Sequence, residues 1–491
     1  MAFEPSPYEP LDDRTQRRGV VLAGVLGLVV SFTTVYMPLA GMALSLAFGG
    51  VLLLARRPQW LFLGFVISLA IPIQKTVGGI PLNAADAIVV LWALLWLFML
   101  QRPQAPHLGR MRVPFLILAI TPFLIAVFLA QLGSIAPGAS IKQSLRVVEW
   151  FVLLPVLLMV FRPDQGFWRF AAITLICTPA FFAIDGLVEY ATHGHTLTGM
   201  LGIPVPGPSG DEPAIHHTFD VSGRAGSSFG GAQGLAMYLV MLLSISLAHL
   251  LNSRNGGLRV LAGLGIVISI AGMIAAQSRG GLLGGLACLL AICLMLRPQL
   301  WKLLVLGLIA VAVIAPIGLG LWPSWDGTLS GLVPGRPDAV IDRLTIWGVV
   351  RDVWFDNPLI GVGLGNFRDE FYARGVTLNV ELGYQSTHAH NTYLELLADT
   401  GALGLLSYLA FIVMVFQQLI RRWRRSVGDP GDTFTLAAVG TLTAYCVFAM
   451  VDMLLLQNMH FTLVLLLSLG LTDSTARALG LTGVKTQEDA G

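Results

Sequence analysis

Apolar stretches separated by short polar connections fill most of this chain. Fourteen of them, at roughly 19–35, 38–55, 59–74, 84–100, 113–131, 147–161, 167–188, 229–251, 258–277, 281–296, 301–321, 403–420, 433–451 and 456–471, approach the ~20 residues that cross a hydrocarbon core as helix. Several are short, so the pattern predicts an all-α polytopic membrane protein with about 12–14 transmembrane helices. Two connections are long. Residues 189–228 are dense in Gly and Pro, whereas 322–402 carry helical signals of their own. Between Asp338 and Asp356 the positions Val340, Ile341, Leu344, Trp347, Val350, Val353 and Trp354 recur at helical spacing, which predicts a helix lying beside the membrane with Arg343 and Arg351 on its polar side.

Charge tests this list, because a missed span would invert every later loop. With the N-terminus in the cytoplasm, 20 of the 30 Lys and Arg fall on inner connections, from Arg14, Arg17 and Arg18 to the cluster Arg421, Arg422, Arg424 and Arg425. The predicted organisation is then a cytoplasmic tail (1–18), an N-terminal bundle (19–188), an outer loop (189–228), helices flanking a turn at Arg279 (229–321), a large outer loop (322–402), C-terminal helices (403–471) and a cytoplasmic tail (472–491).

Composition agrees: 55% hydrophobic and 12% charged residues cannot coat a soluble globule of 491 residues. The net charge of +2 says nothing about nucleic acid, and no basic aromatic surface suggests such a partner, so none is expected. The acidic, proline-rich first dozen residues lack the basic n-region of a secretory signal. Cys177, Cys288, Cys293 and Cys446 lie in apolar spans and form no disulfide framework.

The ten outer basic residues are few enough to weigh singly. Arg279 sits in Gln277-Ser278-Arg279-Gly280-Gly281, a tight turn with no acidic residue within ten positions. A guanidinium there serves either lipid headgroups or a bound anion, to which the glycines allow close backbone approach. Arg224, in Gly223-Arg224-Ala225-Gly226-Ser227-Ser228, stands before a long span whose first amides favour anions, so this is either an ordinary glycine-rich loop or a phosphate cradle. His390 lies in His388-Ala389-His390-Asn391, ahead of a short helix with Leu394, Leu397 and Ala398 on one side, closed by Gly401. It is either a solvated capping residue or a general base, since a helix start disfavours imidazolium. The histidines at 193, 195, 216 and 217, with Asp211 and Asp220, fit no zinc-ligand spacing, and Asp352, Asp369 and Glu370 form no clustered carboxylate motif, so a metal-free site is expected.

Taken together these segments resemble the O-antigen ligase and polymerase superfamily, bacterial membrane enzymes that handle undecaprenyl-pyrophosphate-linked glycans. The likeness is densest at Arg343-Leu-Thr-Ile-Trp347, Asn357 to Phe367 and His388-Ala-His-Asn391, and in the spacing from His390-Asn391 to Gly401 and Gly404. Ser278-Arg279-Gly280-Gly281 and Arg224 to Gln233 look like the family's two arginine segments, although Ala232-Gln233 stands where the family often has Pro-Asn. The resemblance implies an inner-membrane enzyme with a periplasmic active site and no cofactor. In it Arg224 and Arg279 grip the donor diphosphate, His390 deprotonates an acceptor hydroxyl, and Arg343, His388, Asn391 and Ser278 contact substrate.

The absence of a P-loop, or of GxGxxG at a strand–helix junction, fits a donor already activated as a lipid diphosphate. A ligase-like transfer to a lipid A core sugar is expected. A polymerase extending lipid-linked glycan uses the same residues and stays open, as does a protein O-oligosaccharyltransferase. A flippase of lipid-linked sugars would place charge near the midplane and show related halves.

Overall fold

The computed structural model describes residues 59–69, 74–77, 80–99, 114–160, 165–200, 205–206, 213–214, 224–229, 231–300, 302, 337–376, 388–425, 432–452, 454 and 459–478. The expected spans at 19–35 and 38–55, and that at 301–321 apart from Lys302, fall outside them. The helices are α1 (Gln59–Ser68), α2 (Ala84–Met99), α3 (Phe115–Leu129), α4 (Pro137–Val148), α5 (Leu154–Val160), α6 (Gln165–Thr192), α7 (Ala232–Asn252), α8 (Gly256–Ala275), α9 (Arg279–Leu296), α10 (Pro337–Asp356), α11 (Phe367–Ala373), α12 (Thr392–Arg425), α13 (Asp432–Phe448) and α14 (Met459–Ala478). Among the described residues six helices are long and apolar enough to cross a membrane, and α13 and Thr462–Leu471 are shorter apolar helices. The protein is an all-α polytopic membrane protein.

The fold departs locally from the expected pattern. A β-hairpin, Gln74–Val77 paired antiparallel with Ile80–Asn83, separates α1 from α2, and a two-residue ribbon joins Val205–Pro206 to Pro213–Ala214. The stretch expected as one span at 147–161 opens with a wider turn at Glu149–Leu153 between α4 and α5. Cys177 is exposed on α6 rather than buried.

Helix α7 is the centre. Its sequence is apolar all round, and a helix without a polar face must be enclosed. Accordingly nearly every residue from Leu235 to His249 is buried, against α6, α8, α9 and α13. Small residues permit this closeness: a Cβ on Gly272 of α8 would stand 2.8 Å from Ala183, and one on Gly281 of α9 would stand 3.1 Å from Ala236. Polar side chains add ties, such as Ser244 to Thr441 at 2.5 Å and Tyr408 to Tyr445 at 2.7 Å. Such bonds between membrane helices contribute about 0.6 kcal/mol each.

Outside this bundle a second apolar cluster joins α10, α11 and the start of α12: Ile346, Val349, Val350 and Val353 pack with Phe367, Phe371, Ala389 and Ala398. This corrects the expected face of α10. Val350 and Val353 are shared, but Leu344 is 49% exposed while Ile346 and Val349 point inward. The face is rotated because α10 packs on the α11–α12 loop region, a partner that its own periodicity cannot reveal.

Candidate functional site

The site is built on a break in α12. Gly401 has φ +62° and ψ −168°, so the short helix begun at Thr392 stops there and the membrane helix restarts at a new angle. The loop from Asn357 to Phe367 is wedged into that break. Ala402 and Leu403 donate backbone hydrogen bonds to Pro358 and Leu359, while Val362 and Gly363 donate to Ala398 and Asp399. The buried Asp399 carboxylate accepts from the amides of Gly365 at 2.7 Å and Phe367 at 2.8 Å. The spacing from His390 to Gly401 therefore measures a structural unit: a short helix ended where a loop backbone crosses it.

His390 precedes that helix, in the left-handed region at φ +48°. For a non-glycine residue this conformation costs about 1 kcal/mol and needs support. Support comes from both sides. Trp347 Nε1 donates to Ala389 O at 2.9 Å, Ala389 N donates to the buried Glu395 carboxylate at 2.7 Å, and His390 N donates to His388 Nδ1 at 3.3 Å. For His388 Nδ1 to accept, its ring must be neutral. Burial and then the neighbouring His390 push its pKa down to about 4; Asp452 opposes them, and Arg343 and Arg368 each add a lesser push downward.

Asn391 is the helix cap: its Oδ1 accepts from Tyr393 N and Leu394 N, and its Nδ2 donates to Met450 O. Thr392 N and Oγ1 both donate to Asp452 O, and Thr392 Oγ1 accepts from Leu454 N. The turn after α13 is thus laced to the start of α12, which brings Asp452 Oδ1 to 3.8 Å from His390 Nδ1. Asp452 is nearly buried. Sequence reading passed over it, although a lone acid between two apolar spans is itself a signal.

The two arginine segments meet one another. Arg224 Nε donates to Ala276 O at 3.2 Å and Ala225 N donates to Ala275 O, so the Arg224 segment runs against the end of α8, beside the Arg279 turn. Arg279 is the first residue of α9 and is exposed. Ser278 caps the helix, its Oγ accepting from Gly281 N at 3.1 Å. Next to Arg279, a Cβ on Gly280 would stand 2.8 Å from Val451, the neighbour of Asp452. The segments carrying Arg224, Arg279 and His390 therefore form one contiguous end of the bundle.

Ahead of the span whose first amides were expected to favour an anion, Gly226 N and Ser227 N both donate to Glu189 Oε2, at 2.9 and 2.6 Å, and Ser227 Oγ donates to Asp185 Oδ2. Any anion there would meet the guanidinium, not these amides. Ser278 and Asn391, expected at substrate, hold helix starts. Arg343 is half-buried and acts electrostatically on His388, whereas Arg351 is exposed and pairs with Asp352 at 2.9 Å.

Among the described residues His388, His390 and Asp452 form the one group whose ligand atoms, all within 4.8 Å of one another, could hold a metal ion. On His388 the positive charges of Arg343 and Arg368 act against the larger, opposite influence of Asp452. Of the acids weighed as metal ligands, Asp352 pairs with Arg351 at 2.9 Å and Glu370 with Arg374 at 3.3 Å, and Arg374 also reaches Asp356 at 2.7 Å. His193 and His195 are exposed, and His216 and His217 fall outside the described residues.

The geometry is an apolar helical bundle with cationic turns and an imidazole–carboxylate pair at one end. Residues 264–409, less than a third of the chain, match the family model described as O-antigen ligase. That match supports the O-antigen ligase superfamily and, in general terms, a membrane glycan transferase. It runs from within α8 through α9, α10 and α11 to just past the break in α12, and so includes Arg279 and His390. No curated relative matches the chain.

Proposed function

We propose that this protein is an O-antigen ligase-like glycosyltransferase of the bacterial inner membrane, with both termini cytoplasmic. It moves a glycan from undecaprenyl pyrophosphate to an acceptor hydroxyl on a lipid A core sugar at the periplasmic face. The observation that carries this reading is the continuity of three segments: Arg224 bonded to Ala276, Gly280 against Val451, and Asp452 beside His390.

His390 Nδ1 faces Asp452, which leaves Nε2 for the acceptor hydroxyl. Nε2 takes the hydroxyl proton as the oxygen bonds to the anomeric carbon from the face opposite the leaving group. The bond from that carbon to the phosphate oxygen breaks, and its electron pair leaves with the lipid diphosphate. Arg224 and Arg279 neutralise the charge that grows on the departing diphosphate, so no metal is needed. Arginine suits this task because its planar fork matches phosphate oxygens and remains charged at any working pH. The 3.8 Å separation of His390 and Asp452 is longer than a hydrogen bond, so at this distance Asp452 acts on the imidazole as a nearby charge. Arg343 and His388 contact the acceptor side, and Asn391 and Ser278 support the site as caps.

The test is reconstitution with purified lipid-linked glycan and a lipid A core acceptor. A single shifted band on a gel is expected, lost in His390→Ala. A ladder formed from donor alone would instead establish polymerisation, and unchanged transfer by His390→Ala would remove the assigned base.

A further inference from the structure

Asp185 and Glu189, whose carboxylates accept from the turn after Arg224, lie on α6, one helical turn apart, and both are fully buried. Glu189 Oε2 receives two consecutive amides, of Gly226 and Ser227, and Asp185 Oδ2 receives the Ser227 hydroxyl. Ser227 is held at φ +50°, a conformation that a serine does not keep without support. Gly186, between the two acids on α6, lies under the turn: a Cβ there would be in ordinary contact with Ala225 and Ser227, each at 3.9 Å, and would stand 2.7 Å from Leu235 of α7. One residue before this clamped turn, Ala225 N is bonded to Ala275 O, and the Arg224 guanidinium to Ala276 O.

We propose that Asp185 and Glu189 are positioning residues that set the reach of Arg224 toward the donor diphosphate, by clamping the 225–227 turn between α6 and the end of α8. The inference rests on the proposed role of Arg224. The clamp works through hydrogen-bond acceptance at fixed places. Its loss lets the turn relax out of the left-handed conformation and moves the guanidinium by about an ångström, a displacement that costs on the order of 100-fold in a positioned reaction. The effect falls on donor use, because Arg224 acts on the diphosphate and not on the acceptor.

The test uses the full-length protein with undecaprenyl-pyrophosphate-linked glycan, measuring kcat and KM for donor and acceptor separately. Glu189→Ala should lower donor kcat/KM by about 10- to 100-fold and leave acceptor KM within about twofold. Glu189→Gln, whose carbonyl still accepts, should recover most of the loss, and Ser227→Ala, which removes only the Asp185 contact, should show a smaller loss of the same kind. In an Arg224→Lys background Glu189→Ala should add less than about twofold, because both changes act through one group. Independent, multiplying losses in that cycle, or equal effects on donor and acceptor, would overturn the clamp and leave Glu189 a folding residue. If Arg224→Lys and Arg224→Ala both transfer at the wild-type rate, the role of Arg224 fails first. If they are impaired while Glu189→Ala is not, the clamp alone fails.

Discussion

Replacing Gly401 by alanine tests whether the His390 helix is ended by the loop that crosses it. An alanine Cβ there would collide with Leu359 C and O and stand 2.5 Å from Ile360 N, all backbone atoms that cannot rotate away. To regain ordinary contact the loop must withdraw by about 1 Å. At that distance the bonds from Ala402 N to Pro358 O, at 2.9 Å, and from Leu403 N to Leu359 O, at 3.1 Å, are broken. Two such bonds are worth about 2 kcal/mol, and φ of +62° adds about 1 kcal/mol for any side chain, giving about 3 kcal/mol in all. Gly375 supplies the control: it has the same φ of +62°, but a Cβ added there would meet nothing within 4 Å. Gly375→Ala should therefore cost only about 1 kcal/mol. Thermal unfolding of both variants in detergent measures the difference, and transfer assays should show a loss of at least about tenfold for Gly401→Ala with near-normal rates for Gly375→Ala. Equal destabilisation by the two substitutions would refute the interlock and reduce Gly401 to a backbone-conformation effect.

Other outcomes follow from the same geometry. Arg279→Ala should abolish transfer without disturbing membrane insertion, because the side chain is exposed, and Arg279→Lys should restore little, since a point charge cannot chelate two phosphate oxygens; wild-type rates in either would end its assignment. Asp452→Asn should lower kcat by about 10- to 100-fold with donor and acceptor KM nearly unchanged, and a kcat within about twofold of wild type would show that Asp452 does not orient His390. Activity should persist in EDTA, and a loss reversed by added magnesium would mean that a metal is required, with His388, His390 and Asp452 the first ligands to test. The pKa of His388 is lowered by folding, so its contribution to stability is full above its unfolded value of 6.5 and is lost as pH falls toward about 4. The full span corresponds to about 3 kcal/mol, so acidification through that window should lower the melting temperature of the wild type more steeply than that of His388→Gln; parallel curves would refute it.

Much of the architecture was legible along the chain. Hydropathy and loop charge are local quantities, and they located Phe115–Leu129, Gln165–Thr192, Ala232–Asn252, Gly256–Ala275, Arg279–Leu296 and Asp432–Phe448 within a few residues, but not the stretch expected at 147–161, whose helical run begins at Pro137. The short helix before Gly401, the amphipathic run at 338–356 and the three residues chosen for their chemistry were also visible as patterns of type and spacing. What spacing could not contain was the partner of each surface. The inward face of α10 depended on the loop it packs against, the amides near Arg224 were claimed by acids about 37 residues earlier on α6, and Asp452 reached His390 only because the turn after α13 is laced to Thr392. Membrane helices are specified one at a time by their own apolar length, whereas the meeting of their ends is decided by small-residue packing deep in the bundle. The identity of a candidate base and two candidate phosphate ligands was thus a property of sequence, and their shared location a property of how α7, α8, α9 and α13 fit together.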